Sequence, residues 1–370
     1  MKRIACAAAL AALVLLQLRA DDKPSKPDAE LKSNRADEAK AFTEYGKQVQ
    51  EWRQKYTTAT PDERKDLIKD QPKSAPLIEK ANKLLETDTA DAPALEAILF
   101  LAQYSPQLDA KYLDAVREHH IGNPRIGAVM NRAAGRGGLS AAGEKFLKAA
   151  LENSPSKEVR GQACLTLGNT LMQNKKDKEA EPYFVRIEKE FADVEIPRGA
   201  TKVKLGKLVA GPLFEIRHLA IGMAAPKIDS VDLDGKKVSL ADLKGKVVIL
   251  DYWATWCGPC RAMIPHNQEL TEKLKDKPFV LVSISGDAKV ETVKTFLENA
   301  KEKEKMPWTH WWTGIGDDSL LMKWNIQGIP TLYVIDAKGV IRHKQVGNDP
   351  TKNKEFEEMI EELVKEAEAK

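Results

Sequence analysis

Cysteine is scarce in this chain, with four in 370 residues. That excludes a disulfide-stapled scaffold, which needs several bridges in a short chain. Glycine, at 22 residues, is too rare for a collagen-like repeat, and no long apolar run follows residue 20. A charge imbalance is missing too. The formal net charge is +3, and Lys2, Arg3 and Arg19 account for it, because residues 1–20 hold no acid. The remainder is balanced and lacks the basic footprint expected of a nucleic-acid binder. What is present is 42% hydrophobic residues. This is enough apolar surface to build a core, over a length that suits two or three domains of about 100–200 residues each.

The first twenty residues read as a signal peptide. Lys2 and Arg3 precede the apolar run from Ile4 to Leu16, and Ala20 offers a small residue for cleavage. The run is shorter than the roughly 20 apolar residues of a membrane span. The expectation is an exported protein, periplasmic or extracellular. An uncleaved membrane anchor is the alternative, because Arg19 interrupts the small-x-small pattern. Residues 21–28, with Pro24 and Pro27, read as a flexible leader. Cys6 leaves with the signal, so Cys164, Cys257 and Cys260 remain. The last two can pair, and Cys164 reads as a buried residue of a packed helix.

Residues 29–210 are expected to form an all-α domain. Phe42, Tyr45, Val49, Trp52 and Tyr56 recur at spacings of three and four, which places them on one helical face. Thr60-Pro61-Asp62-Glu63 reads as a helix start, with a capping threonine and a reciprocal glutamate. Helical hairpins starting near Ala94, Arg125 and Glu158 suggest a loose repeat of about 31–33 residues. The best unit, 158–193, resembles a tetratricopeptide unit at Ala163, Leu167, Ala180, Tyr183 and Phe184, without the early tryptophan. Such pairs stack into a solenoid whose face binds a peptide or protein partner; an irregular bundle is the other reading. The adjacent His119 and His120 read as surface residues rather than metal ligands, which favour i,i+4 spacing on a helix. Pro197, Gly199, Gly206, Gly211 and Pro212 read as helix breakers, and the second domain is taken as 211–370.

The chemistry lies in that second domain. Val247-Val248-Ile249-Leu250 suits a buried parallel strand. It leads through Trp253-Ala254-Thr255-Trp256 to Cys257-Gly258-Pro259-Cys260, after which a helical pattern begins. Two intervening residues let the sulfurs pair within one helical turn. The first sulfur sits at the helix N-terminus, where free N–H groups and the positive dipole end favour a thiolate. Cys257 is therefore the expected nucleophile, and Cys260 the thiol that resolves a mixed disulfide. Zinc would need two further ligands at knuckle spacing, and covalent haem a histidine at 261, where arginine stands. No metal and no cofactor is expected.

Over residues 218–370 the sequence resembles the thioredoxin superfamily, most closely its exported TlpA/ResA-like redoxins. The carriers are Gly222-Met223-Ala224-Ala225-Pro226, Asp234-Gly235-Lys236, Leu243-Lys244-Gly245-Lys246, the stretch Trp253 to Cys260, Pro265, Gly328-Ile329-Pro330-Thr331 and Gly347. The resemblance implies an α/β domain, a central mixed sheet flanked by helices. It also implies thiol–disulfide oxidoreductase activity on disulfide-containing proteins and a thiol-donating redox partner such as a membrane electron transporter. Pro330 is expected to be cis, offering the Ile329 backbone to an extended substrate beside Trp256, Gly258 and Pro259. Asp251, at the position of thioredoxin's buried acid, is expected to take the proton of Cys260. Many of these redoxins carry an acid three residues after the second cysteine. Here that position is Met263, so no chemistry passes through it.

The Gly-Pro pair matches thioredoxin, whose potential near about −270 mV favours reduction. Phe279 to Ile284 reads as the next strand, 289–303 as a helix, Thr331–Ile335 and Val340–Val346 as a hairpin, and 352–368 as an amphipathic last helix. Trp308, Trp311 and Trp312 read mainly as packing. Alternative functions are a scaffold acting through the helical domain, and a thiol peroxidase, which lacks the Pro-x-x-x-Thr-x-x-Cys context.

Overall fold

The computed structural model describes residues 26–135, 139–198, 201–316 and 318–369. The signal segment with Cys6, the leader up to residue 25, and Gly199 lie outside the described residues. Among the described residues no helix is long and apolar enough to cross a membrane. Two compact units divide between Thr166 and Leu167.

The first unit is helical. α1 (Lys26–Thr58), α2 (Pro61–Lys69), α3 (Ala75–Thr87), α4 (Ala92–Tyr104), α5 (Ala110–Ala115), α6 (Met130–Ala134), α7 (Ala141–Asn153) and the start of α8 (Lys157–Gln173) follow in order. The expected apolar face of α1 is present. Phe42, Tyr45 and Val49 are buried, and Phe42 stacks on Phe100 of α4 at 5.0 Å between ring centres. Thr60 and Glu63 form the capping box that starts α2. The repeat is less regular than expected, because the segment near Arg125 opens as a 3-10 turn, Pro124–Val129, before the five-residue α6. Proline suits that first turn, but Gly127 and a β-branched Val129 give it little helical propensity. His120 is also a correction. It is buried, with Nε2 2.8 Å from the Thr89 carbonyl, while His119 is exposed.

In the second unit, α9 (Asp177–Arg186) and a π-turn (Ile187–Phe191) lead to a two-stranded hairpin, β1 (Glu195–Arg198) and β2 (Thr201–Lys204). Pro197 falls in β1, but three of the expected helix breakers, Gly206, Gly211 and Pro212, prove to lie inside a helix, α10 (Leu205–His218). Gly211 serves close approach: a Cβ there would fall 2.5 Å from Oδ1 of Asn325. One turn on, Glu215 accepts from Asn325 Nδ2 at 2.6 Å and pairs with Lys344.

The sheet of this unit has seven strands: β3 (Asp229–Asp232), β4 (Lys237–Ser239), β5 (Val247–Trp253), β6 (Phe279–Ser285), β7 (Thr309–Trp312), β8 (Thr331–Ile335) and β9 (Ile341–Val346). Their order is β4-β3-β7-β6-β5-β8-β9, with β5, β6 and β7 parallel to one another, β8 antiparallel to β5, and β9 antiparallel to β8. The helices here are α11 (Gly258–Lys273), α12 (Val290–Glu298), α13 (Leu320–Lys323) and α14 (Asn353–Glu368). Side chains alternate along β5, as the pleat requires. Val248, Leu250 and Tyr252 join a cluster with Trp324, Tyr333 and Leu219, against which Phe214 of α10 packs. Val247 and Ile249 face α11 and α14 through Met263, Leu270, Phe356 and Ile360. The mixed sheet flanked by helices is therefore present. α12 is shorter than the expected 289–303, because Asn299 closes it, its Nδ2 donating back to the Thr295 carbonyl.

Candidate active site

The active-site turn is built at the end of the central strand. β5 stops at Trp253, and Thr255 donates from N (3.0 Å) and Oγ1 (2.7 Å) to the buried carboxylate of Asp287, just beyond β6. Ser285 Oγ adds a third donor to Asp287 at 2.8 Å. Two residues after this clamp, Cys257 caps α11. Its Sγ accepts from the Cys260 N–H at 3.2 Å, which puts the sulfur at the positive end of the helix dipole. Cys257 and Cys260 are joined as a disulfide, their Cα atoms 5.3 Å apart. Both are buried, whereas Gly258 and Pro259 are exposed and Trp256 is 70% exposed.

The Ile329–Pro330 turn closes the site from β8. Its peptide bond is cis, and the Ile329 carbonyl oxygen lies 3.7 Å from Cys257 Sγ. Gly347, at φ +82°, donates its N–H to the Pro330 carbonyl at 2.8 Å and so ties the end of β9 to this turn. Trp253 lies beneath, clustered with Cys257, Cys260, Ile264 and Met306. Pro265 sits inside α11, and Met263 is buried against the sheet. Cys164 is buried in α8.

Asp251 is buried within β5, directly opposite Ser283 of β6. Removal from water disfavours its charged form and pushes its pKa up to about 6; the Ser283 hydroxyl, donating to Oδ2 at 2.9 Å, opposes this. Trp308 Nε1 in turn donates to Ser283 Oγ at 2.9 Å, and Trp312 Nε1 to the Asp287 carbonyl at 2.9 Å. The three tryptophans therefore differ: Trp311 is core packing, whereas Trp308 and Trp312 hydrogen-bond around the site. Ser283, Ser285 and Asp287 were not singled out by sequence. Their signal is faint, two serines at alternate positions of an otherwise apolar strand and an acid just after it.

The clamp carries a prediction. Asp287→Ala leaves the Thr255 donors and the Ser285 hydroxyl without their acceptor, at about 1–3 kcal/mol for a buried group left unpaired. Urea unfolding of the oxidised protein is expected to show a loss of about 2–3 kcal/mol.

A dithiol at the N-terminus of a helix that follows the central strand of a mixed sheet, faced by an X-Pro turn from the neighbouring strand, defines a thioredoxin-like protein that exchanges thiols and disulfides. A family model described as Redoxin matches residues 220–360. The thiol-disulfide oxidoreductase ResA of Bacillus cereus is 32% identical over 140 residues, covering 38% of this chain and 78% of that protein. The thioredoxin-like protein YneN of Bacillus subtilis is 36% identical over 136 residues, covering 36% and 76%. Among solved structures, the thioredoxin domain of a thiol-disulfide oxidoreductase from Bacteroides vulgatus is 31% identical, covers 39% of this chain and 98% of its own, and superposes with a TM-score of 0.34. Through its C-terminal part the chain belongs to the TlpA/ResA-like branch of the thioredoxin superfamily, and it is a thiol–disulfide oxidoreductase.

Proposed function

We propose that the chain is an exported protein-disulfide reductase whose working centre is Cys257-Gly258-Pro259-Cys260. Cys257 thiolate attacks one sulfur of a substrate disulfide and displaces the other as a thiolate. Cys260 then gives its proton to Asp251, directly or across a water, and attacks Cys257 Sγ. The Cys257–Cys260 bond forms, the mixed disulfide breaks, and the substrate leaves as a dithiol once protonated. The two electrons lost by the pair are restored by a thiol-donating partner, for which a membrane electron transporter suits an exported protein. The exposed Trp256, Gly258 and Pro259, with the Ile329–Pro330 turn, receive the substrate chain. The helical residues 29–210 recruit a partner or substrate. The observation that carries this reading is the Cys257 sulfur held as the cap of α11, with the Cys260 N–H on it.

Trapping tests it. Cys260→Ser keeps the attacking sulfur and removes the resolving one, so the variant is expected to retain its substrates as mixed disulfides. Mass spectrometry after non-reducing purification identifies them. Equal amounts of adduct from Cys260→Ser and from a Cys257→Ser, Cys260→Ser double variant would refute the assignment of Cys257.

A further inference from the structure

The proton that leaves Cys260 needs a receiver of fixed orientation, and three side chains bear on that. Asp251 projects from the same face of β5 as Ile249 and Trp253, the face covered by α11. Ser283 stands opposite it in register on β6. Trp308 precedes β7, is half-buried, and packs against both the cluster under α11 and the cluster around the cysteines. The three are joined in one direction: indole N–H to Ser283 Oγ, then Ser283 O–H to Asp251 Oδ2, each 2.9 Å.

Direction matters because a hydroxyl has one proton and two lone pairs, whereas an indole nitrogen can only donate. With the indole on one lone pair, the hydroxyl's single proton is turned toward Asp251. Resting on the proposed role of Asp251 as the proton acceptor, we infer that Ser283 and Trp308 are positioning residues that hold Asp251 Oδ2 and leave Oδ1 as the oxygen that receives the proton of Cys260. Among the described residues, Ser283 is the one side chain that donates to this carboxyl, and burial alone works against it.

Other ionisable groups are carried by elements on this face, and among the described residues none of them is hydrogen-bonded to Asp251. On α11, Cys257 and Cys260 are the reacting pair, and His266 meets Glu357 of α14 at 3.3 Å. Glu361 of α14 pairs with Lys273. His310 of β7 is held toward its neutral form by burial. The hydroxyl–indole pair is thus what keeps the acid ionisable in a site from which water is largely removed.

The test uses the oxidised full-length protein, in which neither active-site thiol titrates. Carboxyl carbon NMR follows Asp251, its signal assigned by its loss in Asp251→Asn. Ser283→Ala and Trp308→Phe are each expected to move the Asp251 midpoint to the alkaline side, by about one pH unit for the serine and less for the tryptophan, as losing a donor to a carboxylate implies. Ser283→Thr, which keeps a hydroxyl, is expected to titrate as the parent does. In the reduced proteins the same two variants are expected to lower the resolving rate near pH 6, several-fold for the serine and less for the tryptophan, and to recover above pH 8. A purely packing role predicts a loss that is equal at all pH values, and that result, or an unmoved midpoint in either variant, overturns the inference. An unchanged resolving rate and pH profile in Asp251→Asn instead overturns the proton-acceptor reading, and leaves the titration to judge the hydrogen-bonded chain by itself.

Discussion

Cys257→Ser is expected to reduce insulin, with dithiothreitol as electron source, no faster than dithiothreitol does alone. The loss should be on the order of 10³ or more, because the covalent route is removed rather than weakened. Sulfur at this position caps α11 by accepting the Cys260 N–H at 3.2 Å, at the positive end of the helix dipole. Both the bond and the dipole stabilise an anion, so the thiol should ionise below the value of about 8.5 for free cysteine. A serine hydroxyl gains the same dipole but stays protonated, since a hydroxyl ionises far less readily than a thiol. Iodoacetamide alkylation of the reduced protein across pH reads the ionisation directly. A midpoint for Cys257 at or above that of free cysteine would contradict the argument.

Asp251→Asn is expected to slow resolution and yet stabilise the fold above pH 6. The sign follows from proton linkage. An unfolded aspartate titrates near about 3.9, whereas burial raises Asp251 to about 6. The native state therefore binds more protons than the unfolded state between these values, and stability falls as pH rises through that window. Below pH 4 both states are protonated and no penalty exists. Above pH 6 the penalty is complete, at about 3 kcal/mol for a difference of about two units. Denaturant unfolding of the oxidised proteins is expected to show the wild type losing roughly this amount relative to the Asn variant between pH 4 and pH 7. An equal pH slope in both proteins would locate the titration elsewhere.

How much of this could be read from sequence depends on how local each feature is. Cys257 and Cys260 share one turn of helix, and the strand before them and the helix after them are continuous in sequence, so the dithiol was legible. The burial of Asp251 was legible through the family resemblance, which matches it to a buried acid six residues before Cys257. Ser283, Trp308 and Asp287 were not, because their meaning depends on pairing. Only the parallel register of β5 with β6 sets Asp251 against Ser283, and only the packing of the segment before β7 brings the Trp308 indole to that serine. The α10 region failed in the opposite way. Its glycines and proline carry a strong local signal for a break, and tertiary contact overrides it. His120 likewise reads as a surface residue beside His119 until the helix is placed and its ring meets the Thr89 carbonyl.

The docking of α10 has a practical consequence for anyone who wishes to isolate the redox portion. Family likeness begins at residue 220, which invites a cut there. Such a cut would strip Phe214 and Leu219 from the aromatic floor formed by Tyr252, Trp324 and Tyr333, and would leave Lys344 without Glu215. The fragment would present a wet, sticky surface on the side of the sheet away from the sulfurs. A cut ahead of Leu205 keeps that roof in place, so the smallest soluble piece that carries the dithiol should be longer than the recognisable family segment.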